Sequence, residues 1–334
     1  MRYLTGWSED AHERFMALYI PVGGSPCFIA PSLHREQLQS NPAGIVDIRT
    51  WNDTTGWRPI TEALLAIGPG ALIVEDMLPS MHLLELQQMA KEISFRSAGK
   101  LMSQLREVKS DDELGMLTRS AETADRVYQE SLLQLSVGIT ELQLKGFVEE
   151  AFRRNGAVPA FAIIAFGSNS ALPHHASGSK KLEHGDIVLM DIGCSLNHYG
   201  SDITRTVAFG RPDPVVQAIY DTTWRAQMAA RSAVHPGAAA EDIDRAARSV
   251  ISIEGFGDQF IHRTGHGIGL SVHEPPYIVE GNQRPLREGM CFSVEPGIYI
   301  PGRYGVRIEN IVTVTAQGVR SLNAEPCEGL QIVT

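Results

Sequence analysis

Between residues 1 and 98, short apolar runs alternate with segments of helical period. "FMALYIP" and "CFIAP" flank the turn "VGGS", which predicts an antiparallel hairpin. "GIVDIRTW", "ALIVED" and "EISFRSA" follow as strands, separated by the helix-like "ITEALLAI" and "MHLLELQQMA". Strands alternating with helices predict an α/β unit with a mixed sheet. The stretch "KLMSQLREVKSDDELGMLTRSAETADRVYQESLLQL" then reads as a connecting helix followed by a long amphipathic one, with Ser110 as N-cap before an acidic first turn. The domain boundary is placed at Lys109, giving domains 1–109 and 110–334. Beyond it, "ITELQLKGFVEEAFRRNG" predicts a helix that stops at Gly156, and a helix pair runs from Pro214 to about Glu254, broken at "HPG". Strands fill most of the remainder and close the chain.

Two segments of the second part repeat one pattern. "LEHGDIVLMDIG" (182–193) and "LREGMCFSVEPG" (286–297) share an ungapped leucine, glycine, acid and glycine register. Each is followed by "YG" and a further strand with its own acid, "YGSDITRTV" supplying Asp202 and "YGVRIENIV" supplying Glu309. Two hairpins that place acids at the same register predict an internally duplicated, pseudo-two-fold α+β domain.

Asp191 and Glu295 sit in apolar strands, where an ionised carboxylate is costly unless it is paired or bound to a metal. Taken singly, each acid has an ordinary explanation. Asp202 could pair with Arg205, Glu309 with Arg307, and Asp191 could cap a turn. Taken together, four converging carboxylates repel one another strongly, and two divalent cations remove that cost. "HRTGHGIGLSVHEPP" (262–276) adds His262, His266 and His273 on glycine-rich backbone. His262 and His266 have the spacing of a helical zinc pair, but the glycines argue for strand or loop. His266 is the imidazole expected at the metals, since its flanking glycines let backbone pass close to them. Such an oxygen-rich ligand set suits Mn²⁺, Co²⁺ or Fe²⁺, with Zn²⁺ also admitted. In two-metal sites of this kind a bridging water loses a proton near neutral pH and becomes the nucleophile.

Composition narrows the function class. The formal net charge of −10 disfavours nucleic acid or an anionic membrane as partner. No apolar run reaches the length of a membrane span and no signal-peptide pattern is present. The 4 cysteines lack paired spacing and read as reduced core residues of a cytoplasmic protein. No GxSxG motif marks a serine hydrolase, and "GHGIG" is not a dinucleotide-binding GxGxxG in a βαβ unit.

In order and spacing, "MDIG", "SDITRT", "GHGIG", "VEPGIY" and "RIEN" resemble the ligand motifs of the pita-bread metallopeptidases, which include prolidase, aminopeptidase P and methionine aminopeptidase. The resemblance covers the whole chain. It implies that Asp191 chelates one metal, that Asp202 and Glu309 bridge both, and that His266 and Glu295 hold the other. "LPHHASG" resembles the loop carrying an outer histidine, aligned with His174, while His262 and His273 match residues that contact substrate or stabilise the tetrahedral intermediate. The α/β N-terminal domain, the 14-residue step from Glu295 to Glu309 and "VHEPP" resemble the Xaa-Pro branch. Relatives carry a helix and a strand before the segment that begins here at Met1, so the creatinase/prolidase-type N-terminal domain is expected to lack both. A homodimer is implied by the resemblance alone.

The expected activity is hydrolysis of Xaa-Pro bonds in a short proline-containing peptide, as dipeptidase or aminopeptidase, by a metal-bridging hydroxide. Glu295 would shuttle the proton, His174 or His273 would hydrogen-bond the oxyanion, and His262, Tyr299 and Arg307 would support them. Arg307, on the strand face of Glu309, is expected to fix that rotamer. His175, His184, His198 and His235 read as loop or surface histidines. The alternatives are a dinuclear hydrolase or lyase acting on a non-peptide metabolite and, further off, a non-catalytic peptide-binding domain.

Overall fold

A computed structural model describes residues 1–9, 11–66 and 70–334. The chain forms two compact units, Met1–Met102 and Ser103–Thr334. The first contains helices α1 (Arg2–Thr5), α2 (Arg35–Gln39), α3 (Arg58–Leu65), α4 (Ser80–Met89) and the start of α5 (Gly99–Arg106). Its strands are β1 (Ala17–Tyr19), β2 (Cys27–Pro31), β3 (Asp47–Trp51), β4 (Ala71–Val74) and β5 (Ser94–Ser97). β1 and β2 pair antiparallel across the expected turn, and β2 pairs parallel with β3, which makes this sheet mixed as the pattern implied. β4 and β5 form a separate parallel pair. Phe15, Trp51, Trp57, Leu64 and Leu86 fill the core of this unit. The last residue of "ITEALLAI", Ile67, lies outside the described residues.

The two compact units meet within α5, shortly before Lys109. Lys109 is committed to the larger unit: its amide donates to the Gly289 carbonyl at 2.9 Å and its ammonium pairs with Glu274 at 2.9 Å.

The larger unit contains α6 (Asp111–Leu132), α7 (Glu141–Arg154), β6 (Val158–Phe166), β7 (Ile187–Leu196), β8 (Tyr199–Gly200) and β9 (Ile203–Phe209). Then follow α8 (Pro214–Ser232), α9 (Ala240–Ile253), β10 (Gly265–Gly267), β11 (Glu274–Ile278), β12 (Cys291–Val294), β13 (Gly297–Ile300), β14 (Tyr304–Arg307), β15 (Asn310–Thr315), β16 (Gly318–Ser321) and β17 (Ile332–Val333). One sheet runs β17-β9-β7-β6, a second β11-β10-β12-β15-β16, and β13 pairs with β14 apart from both, so helix pair, strand and hairpin recur in one order in both halves. Each half has its own core. Leu144, Val148 and Phe152 of α7 meet Val188, Met190 and Ile192 of β7, while Ile219, Ile243 and Ile251 of α8 and α9 meet Phe292, Val294 and Val312. This is the pita-bread architecture that the repeated pattern and the resemblance imply.

Ser110 caps α6 as expected: it accepts from the Glu113 amide at 3.3 Å while the Glu113 carboxylate accepts from the Ser110 amide at 2.8 Å. Ser110→Ala is expected to lower the unfolding free energy by about 1 kcal/mol, read as a shift of the urea midpoint at constant slope. An unmoved midpoint would deny the cap any part in stability.

Candidate metal centre

β7 alternates in the usual two-residue period, so Val188, Met190, Ile192 and Cys194 enter the helix-facing core and Asp191 points to the opposite face. Asp202 immediately precedes β9. In the other half the ladder breaks at the two acids. Val294 pairs with Asn310 and Gly297 pairs with Arg307, leaving Glu295 and Glu309 between the two ladders. Pro296 has no amide to continue the pairing. The Glu295 amide turns to the Thr264 carbonyl at 2.8 Å, and the Glu309 amide crosses to the Thr204 carbonyl of the first hairpin at 3.1 Å.

The glycines of "GHGIG" answer to a different crowding from the one expected. β10 is a short strand whose Gly265 lies against the Ser293 carbonyl and whose Gly267 lies against Pro275, so that a Cβ at either position would collide with neighbouring backbone. Their smallness lets β10 fit between β11 and β12, and His266 is carried into the site by that fit.

Carboxylate oxygens and imidazole nitrogens gather in three overlapping groups, each within 4.8 Å: Asp191, Asp202 and Glu309; His266, Glu295 and Glu309; and Asp202, His266 and His273. All five residues singled out as ligands in the sequence therefore meet in one place. His266 Nε2 stands 3.3 Å from Glu295 Oε1 and 3.6 Å from Asp202 Oδ2. Its Nδ1 lies 3.1 Å from the Gly267 carbonyl. A carbonyl only accepts, so Nδ1 carries the proton and the Nε2 lone pair faces the acids. Burial pushes the His266 pKa down to about 3, keeping the ring neutral.

The acids show the opposite strain. Burial drives the Asp202 carboxyl well above the ordinary range, and the Glu309 and Asp191 charges add to it. Glu309 is raised in the same way, by burial and then by Glu295 and Asp191, and Glu295 is pushed up to about 7, chiefly by burial. Among the described residues, the buried Asp191 Oδ1, Asp202 Oδ1 and Glu309 Oε1 find no hydrogen-bond donor. Three donorless buried oxygens beside an unprotonated imidazole nitrogen fit divalent cations, which would satisfy the lone pairs and cancel the repulsion.

Arg307 does not touch the Glu309 carboxylate, contrary to the expected rotamer-fixing contact. β14 ends at Arg307, and the interruption of the ladder turns Glu309 elsewhere. Arg307 instead pairs with Asp191 and donates to Tyr299 Oη at 2.6 Å, to Thr204 Oγ1 at 3.0 Å and to the Pro173 carbonyl at 3.4 Å. Thr204 Oγ1 in turn donates to Glu309 Oε2 at 2.7 Å, so the influence on Glu309 is relayed. Nor does Arg205 pair with Asp202. Its guanidinium is taken up by the carbonyls of Thr204, Glu309 and Ala324.

His262 Nε2 lies 2.9 Å from Tyr299 Oη, so Tyr299 belongs to the polar network rather than to simple packing. Burial lowers the His262 pKa to about 4. The His273 ring meets that of His266 edge-on with centroids 4.0 Å apart, and both His273 and His174 are exposed enough to meet a ligand. His184 stacks on Phe209, and His198 and His235 are exposed. His175 lies in a loop, as expected, but not at the surface: its side chain is 12% exposed and bonds the buried Glu141 at 2.8 Å. Thr204 and Ser293 also belong to the site, though no motif marks them: Thr204 is the cross-strand partner of Asp191, and Ser293 lies two residues before Glu295. Ser293 Oγ donates to Glu295 at 2.9 Å and accepts from the His266 amide at 3.0 Å.

This fold and cluster define a metal-dependent hydrolase, and comparison with known proteins agrees. Residues 115–316 match the model of metallopeptidase family M24 and residues 1–108 that of the creatinase/prolidase N-terminal domain. The chain belongs to metallopeptidase family M24. It is 40% identical over 330 residues to the probable dipeptidase PepE of Mycobacterium tuberculosis, covering 98% of this chain and 88% of that protein. The crystal structure of dipeptidase PepE from Mycobacterium ulcerans superposes with a TM-score of 0.94 at 42% identity, over 99% of this chain and 90% of that one. Recombinant prolidase from Thermococcus sibiricus gives 0.93 at 34% identity, over 99% and 91%. All four cysteines are free, and among the described residues no helix is long and apolar enough to cross a membrane.

Proposed function

We propose that the chain hydrolyses the bond preceding proline in short peptides, with two divalent ions, Mn²⁺ or Co²⁺ in first place, held by the clustered acids and His266. The observation that carries this reading is the set of donorless oxygens on Asp191, Asp202 and Glu309 facing one imidazole lone pair, in a chain whose structural relatives include a prolidase. In this reading Asp191 serves one ion, His266 and Glu295 the other, and Asp202 and Glu309 both. Glu309 groups with Asp191 and Asp202 on one side and with His266 and Glu295 on the other, which supports its place between the two. When bound, such ions polarise the scissile carbonyl and acidify water.

The chain's own residues supply the rest. Glu295, oriented by Ser293, takes the proton of the attacking water and delivers it to the leaving proline nitrogen. His174 and His273 offer N–H groups to the oxygen that gains charge, a contribution of about 3 kcal/mol in comparable sites. His262, through Tyr299, and Arg307 fix the acids and the loop at Pro173. A homodimer in the cytoplasm is part of the proposal; the resemblance supports the dimer and the free cysteines support a reducing compartment.

The test is turnover of an Ala-Pro dipeptide, a longer Xaa-Pro peptide and Ala-Ala by protein loaded separately with Mn²⁺, Co²⁺ and Zn²⁺. Preference for a proline substrate by about 100-fold over Ala-Ala, abolished by chelator and restored by metal, is the expected result. Equal turnover of all three, or of none, would overturn the assignment.

A further inference from the structure

The loop carrying His174 is closed at its base by one carboxylate. Glu141, the first residue of α7, has a fully buried side chain. Its Oε1 accepts from the Phe166 amide at 2.9 Å and from Asn169 Nδ2 at 2.8 Å, both on the outgoing leg. Its Oε2 accepts from His175 Nε2 and from the Gly178 amide, each at 2.8 Å, both on the returning leg. Burial would raise this carboxyl, but the four donors outweigh it and hold the group below its ordinary range. The returning leg is also tied to the helix by Leu142 N to Gly178 O at 3.0 Å and to β6 by Ser177 Oγ, 2.8 Å from the Ile164 amide.

The far side of the loop docks on the other half. The Gly305 amide donates to Ser170 Oγ at 2.8 Å, and Arg307 reaches the Pro173 carbonyl. His174 thus stands between two fixed neighbours, Pro173 on the metal-centre side and His175 on the Glu141 side, while its own ring is exposed. An exposed imidazole with both neighbours anchored can be aimed without being buried.

We infer that Glu141 and His175 are positioning residues for the hydrolysis, acting through His174: one carboxylate clamps both legs of the 166–178 loop and sets where the His174 ring is presented to substrate. This rests on the functional reading above. The energetic logic is that of a support around a catalytic group, where loss of a partner commonly costs 10- to 100-fold.

The experiment is a double-mutant cycle on the metal-loaded enzyme with Ala-Pro, using E141Q, H175A and H174A, singly and as H174A/E141Q and H174A/H175A. E141Q and H175A are expected to lower kcat by about 10-fold with KM and metal content unchanged, and to add little once His174 is absent. Alongside it, hydrogen exchange of amides 168–176 should rise in H175A while β7 and β9 stay protected. Wild-type kcat in H175A, or losses that multiply with that of H174A, would overturn the clamp. Should E141Q fail to fold, the H175A/H174A cycle decides alone. Failure of the wild type to cleave Ala-Pro would refute the functional reading instead, and the exchange readout would still judge the clamp.

Discussion

Glu309→Ala is expected to abolish metal-dependent hydrolysis and to strip metal from the protein while leaving the metal-free fold at least as stable as before. Glu309 belongs to two of the three groups of ligand atoms, and among the described residues its Oε1 finds no donor. Removing it takes away a carboxylate that would help to hold the ions. Transition-state stabilisation of several kcal/mol goes with it, which corresponds to a loss in kcat of about 10³-fold or more. The sign of the stability effect is opposite in the metal-free protein, because one of four mutually repelling buried carboxylates has gone. Added Mn²⁺ at a hundred times its dissociation constant should stabilise the wild type by about 2.7 kcal/mol and the variant by much less. Thermal melts with and without metal, together with metal analysis, check both halves of the claim. A variant retaining full metal and turnover within tenfold would remove Glu309 from the centre.

Arg307→Met should produce the largest loss of stability in the molecule's polar interior. Arg307 is 3% exposed and ties four separate segments together, through Asp191, Thr204, Tyr299 and the Pro173 carbonyl. Methionine fills much of the volume but leaves Asp191 buried beside the other acids without its cation. Breaking a buried pair in this way costs about 3–5 kcal/mol. Lysine restores charge but not the planar fork that serves several acceptors at once, so Arg307→Lys should recover only part of the loss. Bound metal offsets some of it by neutralising Asp191, so the deficit measured by urea unfolding should shrink on adding Mn²⁺. A deficit below 1 kcal/mol in metal-free protein would show that the network is not coupled as described.

Much of this centre was legible because its signals are one-dimensional. An acid inside "DIVLMDIG" violates the strand's hydrophobic rule, and a second violation at the same register in "MCFSVEPG" turns an oddity into a pattern. The helices were legible through period and caps, Ser110 and Gly156 among them, since these depend on neighbours within a few residues. The pairings between distant segments were not. Glu141 looks like an ordinary acid in the first turn of a helix, and nothing near it announces that His175, 34 positions later, will be its partner. Arg307 was assigned to Glu309 on strand alternation, an inference that fails where Pro296 interrupts the ladder and resets which side chain faces where. Thr204 and Ser293 carry only a weak signal, each a polar residue two positions from an acid of the centre.

Glu309 is encoded in the second hairpin yet anchored by the first. Its amide, its carbonyl and one carboxylate oxygen are taken by Thr204 and Arg205. Neither half is therefore autonomous, however complete its own apolar core. The acid supplied by one hairpin is held in place by the other, so the centre is a property of the seam between them and not of either repeat.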